Sequence, residues 1–346
     1  MPPAVFYPLT VSAVDRLTAD AAALTFAVPP DLRETFAFRP GQSLTVRRGD
    51  ERRSYSICVP PGRAPRIGVR EVPDGCVSGW LVRGTRPGDT IDVQPPSGAF
   101  TPDLAVRGRH VLIAAGSGIT PVLSIAAALL AAGSDVTLLY GNRRAGTVMF
   151  ADEVADLKDA YPTRMRLVHV LSREAQEVDL FTGRLDEAKL RTLLPLLVDV
   201  PAVDDWWLCG PFGMVTGAME VLRGFGVPRQ RMHRELFYVE EEPPPVVTHT
   251  ETPSPGAEVT VILDGRATTV TIPPGTPILD GAQRARADLP FACKGGVCGT
   301  CRAVLREGKV TMRRNFALED SELAAGYVLT CQSLPAADQL VVDYDS

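Results

Sequence analysis

The sequence predicts a multidomain protein: an all-β barrel or sandwich, then a doubly wound α/β domain, then a small α+β domain. Three observations carry this. Short β-rich runs separated by turn residues fill residues 1–105, and strand–helix alternation fills 106–238. A stretch with an acidic run and five prolines, 239–257, then sets off 258–346, which holds four of the seven cysteines.

In the first domain the runs Ala22–Val28, Ser43–Val46, Ser54–Val59 and Ile67–Val72 are rich in β-branched and aromatic residues. Turns such as Pro40-Gly41 and Pro87-Gly88-Asp89 break them, the pattern of a barrel or sandwich. One short helix is expected at Val77–Val82. In the second domain His110–Ala114 is an apolar strand. Thr120 is placed to N-cap the next helix with Pro121 at its first position, and Gly133 to end it. Strands follow at Asp135–Tyr140, Met165–Leu171, Trp206–Cys209 and Met232–Phe237. Helices alternate with them at Phe150–Ala160, Asp186–Leu194 and Met214–Phe225, giving a doubly wound parallel sheet. The segment 239–257 has no apolar periodicity and reads as an extended linker. Beyond it come strands Val259–Leu263 and Thr268–Ile272, a helix at Ile278–Arg286 and a glycine-rich cysteine loop.

The formal net charge of −5 argues against a global attraction to nucleic acid or to an anionic membrane. The apolar stretch Leu123–Ala132 is too short to span a bilayer, and MPPAVFYPLT does not read as a signal peptide. A cytoplasmic location is expected, where thiols stay reduced, so clustered cysteines suggest metal or redox chemistry.

Cys293, Cys298 and Cys301 lie in CKGGVCGTC, and Cys331 stands alone in LTCQS. A disulfide, a zinc ion and an iron–sulfur cluster are the candidates. Zinc ligands usually come as two short pairs, whereas C-x4-C-x2-C with a distant fourth cysteine is the plant-type [2Fe–2S] pattern. Gly295, Gly296 and Gly299 let the backbone wrap closely around the sulfurs. With Phe291-Ala292 before the first ligand and Cys331-Gln332 at the last, residues 258–346 resemble a plant-type ferredoxin domain of β-grasp fold.

The first domain carries Arg53-Ser54-Tyr55-Ser56 in RRSYSI, which fits the R-x-Y-S motif of the ferredoxin–NADP reductase family. The resemblance implies FAD. Arg53 offers a donor fork to its pyrophosphate, Tyr55 a flat face for the ring, and the Ser56 hydroxyl reach to the reactive nitrogen. Alternation puts Arg53 and Tyr55 on one face of the strand. Gly75, Cys76, Val77 and Ser78 open the short helix, whose N-terminus suits the flavin phosphates. Gly116-Ser117-Gly118-Ile119-Thr120-Pro121 lacks the third glycine of the dehydrogenase fingerprint but is similar to the family's own nucleotide loop. Cys209-Gly210-Pro211 matches the stretch that meets the nicotinamide in the family; a buried, inert thiol is the alternative for Cys209. Ser172-Arg173 stands where a 2′-phosphate would lie, and no acidic residue is expected there, so NADPH is favoured over NADH. Arg143 or Arg184 could assist. By resemblance Glu235 lies near the hydride-transfer site. Phe237 either covers the flavin or packs in the core.

Family members with this domain order pass electrons from nicotinamide through flavin and cluster to an oxygenase component. FYPLTV, FRPGQ, RRSYSI, GPFGMVTGAMEVL and HRELF extend the resemblance nearly end to end with the branch serving phenylacetyl-CoA epoxidases. A reductase for another oxygenase, hydroxylase or desaturase, or a redox-sensing binding protein, are the other readings. The C-terminal domain has nine Lys/Arg against eleven Asp/Glu, too balanced to indicate a charge-steered partner.

Overall fold

The computed structural model describes residues 5–49, 51–73, 75–237, 256–291, 293–318 and 320–346. The chain forms two compact units, divided after Phe237. Residues 239–255 of the expected linker lie outside the described residues.

The first unit opens with an antiparallel sheet of β1 (Tyr7–Thr18), β2 (Ala21–Ala27), β3 (Ser43–Arg48), β4 (Glu51–Ser56), β5 (Arg66–Arg70) and β6 (Thr90–Val93), in the order β4-β3-β6-β1-β2-β5. The chain beyond β4 bonds to β5 through the Ile57–Ile67 bridge and Cys58 N–H to Arg66 O (2.9 Å), which brings the two ends of the sheet together as a barrel. Leu9, Leu24, Phe26, Leu44, Ile67 and Val69 fill its interior. β1 is not evident in the sequence, because Pro8 and its many polar residues mask the alternation. Between β5 and β6, α1 (Cys76–Gly79) runs on into a wider π-type turn, Trp80–Gly84, two residues past the expected end.

The second half of this unit alternates β7 (Arg109–Ala115), α2 (Ile119–Ala131), β8 (Asp135–Asn142), α3 (Ala151–Ala160), β9 (Met165–Leu171), α4 (Glu187–Leu197), β10 (Asp205–Gly210), α5 (Phe212–Gly224) and β11 (Met232–Leu236). All pairings are parallel, in the order β11-β10-β7-β8-β9. The order reverses between β7 and β10, so the turns leaving these strands flank the switch point, where open α/β sheets bind ligands.

One helix start differs from expectation. Gly116, at φ +55°, begins a 3₁₀ turn over Gly116–Gly118, and α2 starts at Ile119 with Gly118 as N-cap. Thr120 is therefore inside the helix, and its Oγ1 donates back to Ser117 O at 2.9 Å. Gly133, at φ +97°, ends the helix as expected. Asp186 N-caps α4 by accepting from Lys189 N–H at 2.9 Å.

The second unit comprises β12 (Ala257–Leu263), β13 (Arg266–Ile272), α6 (Ile278–Ala282), β14 (Arg302–Glu307), β15 (Val310–Met312), α7 (Asp320–Ala324), β16 (Tyr327–Leu329), β17 (Ser333–Pro335) and β18 (Gln339–Asp343). Its main sheet runs β13-β12-β18-β14-β16, with the last strand in the middle and parallel to β12. β12 begins at Ala257, within the segment read as linker. α6 ends at Ala282, short of Arg286. Among the described residues, no helix is long and apolar enough to cross a membrane.

Candidate functional site

β4 ends at Ser56, whose Oγ donates to Glu235 Oε2 at 3.2 Å across 179 residues of sequence. Burial pushes the Glu235 carboxyl up to about 7, and the Ser56 hydrogen bond pulls it back only in part. Cys209 is opposite Glu235 in the β10–β11 register. It is fully buried, and that burial, reinforced by the Glu235 charge, raises its thiol well above the usual range. Three residues predicted separately thus meet at one place. Phe237 is half-buried and packs against the core cluster that contains Cys209.

The rest of the β4 motif divides by face. Tyr55 is half-buried against the barrel core, and burial raises its phenol. Ser54 Oγ turns instead to Thr45 Oγ1 on β3, at 3.0 Å, so it offers a ligand its backbone rather than its hydroxyl. Arg53 is half-exposed and pairs with Glu51 Oε2 (2.7 Å), while donating to Arg52 O (2.7 Å). At the start of α1, Ser78 is likewise engaged: Oγ accepts from Val72 N–H (3.1 Å) and donates to Gly75 O (3.3 Å). Val77 is buried and Cys76 exposed. Arg48, which the sequence did not single out, donates to Cys76 O at 2.8 Å and so places a guanidinium beside this turn. Two guanidiniums, a half-open tyrosine face and a protonatable hydroxyl–carboxyl pair form a donor set suited to a flavin with its phosphates.

At the switch point, Gly118 lies directly on β10: a Cβ there would stand 2.1 Å from Cys209 O and 2.8 Å from Gly210 N. The two predicted turns therefore touch through backbone, leaving a glycine-lined approach for a pyrophosphate. Tyr140, fully buried, directs its hydroxyl to Gly116 O and Met149 O, each at 3.2 Å. Pro211 N-caps α5 immediately after Gly210. Ser172 and Arg173 follow β9 and are anchored by backbone bonds to Asn142 O (2.9 Å) and Arg143 O (2.8 Å), with the Arg173 side chain exposed. An acid does occur in this loop, contrary to expectation. It is Glu174, and its Oε2 accepts from Ala145 N–H at 2.9 Å, so the carboxylate is committed to the neighbouring turn. A groove beside Arg109, Lys158 and Leu197 lies at the amino-terminal ends of β7, β8 and β9, the end of the strands opposite to these turns.

In the second unit the cysteine loop is shaped by Lys294, Gly296 and Gly299, at φ +51°, +79° and +67°. The four thiols fall into two pairs. A hydrogen bond from Cys298 holds Cys293 low while raising Cys298, and a hydrogen bond from Cys301 lowers Cys331 while raising Cys301. Among the described residues no three Cys, His, Asp or Glu side chains close on a single ion. Two thiolates for each of two irons is the set a [2Fe–2S] cluster takes. Gly295 N–H points at Cys293 Sγ (3.3 Å), and Gln332 Nε2–H donates to Lys294 O (2.7 Å) and approaches Cys331 Sγ (3.7 Å). Behind Cys301, its carbonyl accepts from Thr330 Oγ1 (2.9 Å), which is bonded in turn to the buried Tyr344 hydroxyl (2.7 Å).

Residues 112–220 match the oxidoreductase NAD-binding domain family and residues 261–336 the 2Fe-2S iron-sulfur cluster binding domain family. Placed behind an antiparallel barrel, these define an electron-transfer oxidoreductase. The chain belongs to the ferredoxin–NADP reductase family, in the branch that ends in a plant-type ferredoxin domain. It is 42% identical to one component of the 1,2-phenylacetyl-CoA epoxidase of Escherichia coli (strain K12), over 99% of this chain and 98% of that protein. It is 36% identical to the ferredoxin reductase component of the 3-ketosteroid-9-alpha-monooxygenase of Rhodococcus rhodochrous, over 97% and 96% of the two chains. Among solved structures it shares the fold of phthalate dioxygenase reductase, with a TM-score of 0.63 at 24% identity over 98% of each chain.

Glu235 has a folded-state pKa above its unfolded value, so the native state holds the extra proton between about pH 4.5 and 7. Its contribution to stability therefore falls as pH rises through that window. Glu235→Gln should flatten this fall in the cofactor-free protein, measured as the difference in Tm between pH 5 and pH 8. In the cysteine loop, Gly296→Ala places a Cβ at a positive φ and 3.0 Å from Gln332 Cγ. Iron and sulfide per chain, assayed after anaerobic reconstitution, should drop at least twofold.

Proposed function

We propose that this chain is the reductase component of a phenylacetyl-CoA epoxidase system, taking electrons from NADPH and delivering them through FAD and a [2Fe–2S] cluster to the oxygenase component. The observation that carries the reading is the pairing of Ser56 with Glu235 beside Cys209, in a chain similar over its whole length to a phenylacetyl-CoA epoxidase component. A bound flavin accepts two electrons together from a nicotinamide and releases them singly, which a one-electron cluster requires.

The chain's own groups divide the remaining work. Arg53 and Arg48 neutralise the flavin phosphates at the start of α1. For Arg53 this means exchanging Glu51 for the ligand, as both side chains are half-exposed. Tyr55 supplies a stacking face. The Ser56 hydroxyl and the Glu235 carboxyl hold a proton at the end of β4, with a pKa placed so that it can leave or return near neutrality. Cys209 stays neutral because burial disfavours its thiolate, and Cys209 and Phe237 keep water from the meeting point. The turns at Gly116–Thr120 and Gly210–Pro211 receive the dinucleotide. Ser172 and Arg173 take the 2′-phosphate, and Glu174 does not compete for a free ribose hydroxyl while it caps the Ala145 turn. Cys293, Cys298, Cys301 and Cys331 are the cluster ligands. The similarity to the ketosteroid monooxygenase component supports the second reading, a reductase for a different oxygenase.

Reconstitution decides between them. The purified chain, mixed with the oxygenase components of a phenylacetyl-CoA epoxidase, phenylacetyl-CoA, dioxygen and NADPH, should yield epoxide. Rapid cytochrome c reduction without product would point to another oxygenase, and failure to turn over NADPH or NADH with cytochrome c or ferricyanide would point to a redox sensor. Arg173→Ala should raise KM for NADPH roughly tenfold, the scale of one lost charge-assisted contact, and leave KM for NADH within about twofold.

A further inference from the structure

Strand β5 has two faces with different tasks. Ile67 and Val69 point into the barrel core. The alternate residues, Arg66, Gly68 and Arg70, meet the nucleotide-binding half of the same unit. Arg66 reaches Glu153 on α3 (3.1 Å), and its guanidinium lies 5.4 Å from the centre of the Phe150 ring. Arg70 pairs with Asp20 of the barrel (3.2 Å), donates to Thr147 O (3.2 Å), and brings Nη1 to 3.0 Å from where a Cβ on Gly116 would stand. Between them Gly68 is covered by two side chains: a Cβ there would be 2.5 Å from Thr120 Cγ2 and 2.8 Å from the Phe150 ring.

Neither neighbour can yield easily. Thr120 has its rotamer fixed by the hydrogen bond from Oγ1 to Ser117 O, inside the nucleotide turn. Phe150 is fully buried and left-handed (φ 58°, ψ 35°), a strained conformation for an aromatic residue that persists only where its surroundings enforce it. Tyr140 ties Met149, the residue before it, to Gly116. On its other edge β5 bonds to the chain leaving β4, at Ile57 and Cys58. One residue further on, Val59 O accepts from Ser124 Oγ of α2 at 2.7 Å. The strand that carries Tyr55 and Ser56 and the turn that carries Gly116–Thr120 are thus held in register through β5.

We propose that the outward face of β5, Arg66-x-Gly68-x-Arg70, is a positioning element that sets the nicotinamide turn against the flavin strand, with bare Gly68 as the seat for Thr120 and Phe150. The inference rests on the nicotinamide-to-flavin reading above. A methyl at Gly68 would have to move its neighbours from 2.5 Å to an ordinary carbon contact of roughly 3.5 Å, a shift on the order of 1 Å. Misplacement on that scale costs about 100-fold in a reaction between two bound groups.

The test is stopped-flow reduction of the bound flavin by saturating NADPH, or NADH, in the full-length holoprotein. Gly68→Ala should lower the rate constant about 100-fold at full amplitude, weaken the long-wavelength charge-transfer absorbance that precedes reduction, and keep flavin and iron contents per chain. Phe150→Leu, which shortens the covering side chain, should lower the rate constant on its own. The double variant should reduce faster than Gly68→Ala, a non-additive cycle. An unchanged rate constant in Gly68→Ala, or a loss of amplitude alone, would overturn the proposal. If Gly68→Ala does not fold, an unchanged rate constant in Phe150→Leu does the same. Wild-type protein that neither nucleotide reduces would instead overturn the reading on which it rests.

Discussion

Two backbones in the first unit approach each other only because a side chain is missing between them. Gly118 rests on the Cys209–Gly210 peptide at a distance that no Cβ could share. That contact brings the turn after β7 and the turn after β10 together at the point where the sheet reverses its order. From there the arrangement of the remaining groups follows. β11, beside β10, carries Glu235 into reach of Ser56, and the register of the two strands puts Cys209 opposite it.

The electrostatics of the meeting point are set by burial more than by neighbouring charge. Removal from water is the first cause of the raised pKa of both Glu235 and Cys209. The result is a site holding little fixed charge near neutrality, in which one carboxyl is balanced between its two forms. The cysteine loop works by the opposite principle. Hydrogen bonds from the partner thiol and from backbone amides lower one sulfur of each pair against the effect of burial, while the other is raised.

Much of this was legible in the sequence because the signals are periodic or tightly spaced. The C-x4-C-x2-C loop, the alternation along β4 and the strand–helix rhythm of 106–238 each impose a pattern on neighbouring residues. What remained hidden depends on distant partners. No motif marks Arg48 or Arg70; the barrel brings one to Cys76 and the other to Gly116. Glu174 is an acid whose availability depends on the Ala145 turn. Strands of three residues, such as β15 and β17, are too short to show a period, and β1 is interrupted by Pro8. The start of α2 was displaced because a positive φ at Gly116 makes room for an extra tight turn.

The two thiol pairs do not share one environment. Cys301 and Cys331 are almost entirely enclosed, backed by Thr330 and Tyr344, whereas Cys293 and Cys298 remain partly open. The centre consequently has a front and a back. An oxidant or chelator arriving from solvent reaches Cys293 and Cys298 before the enclosed pair, so attack on the centre begins at its front.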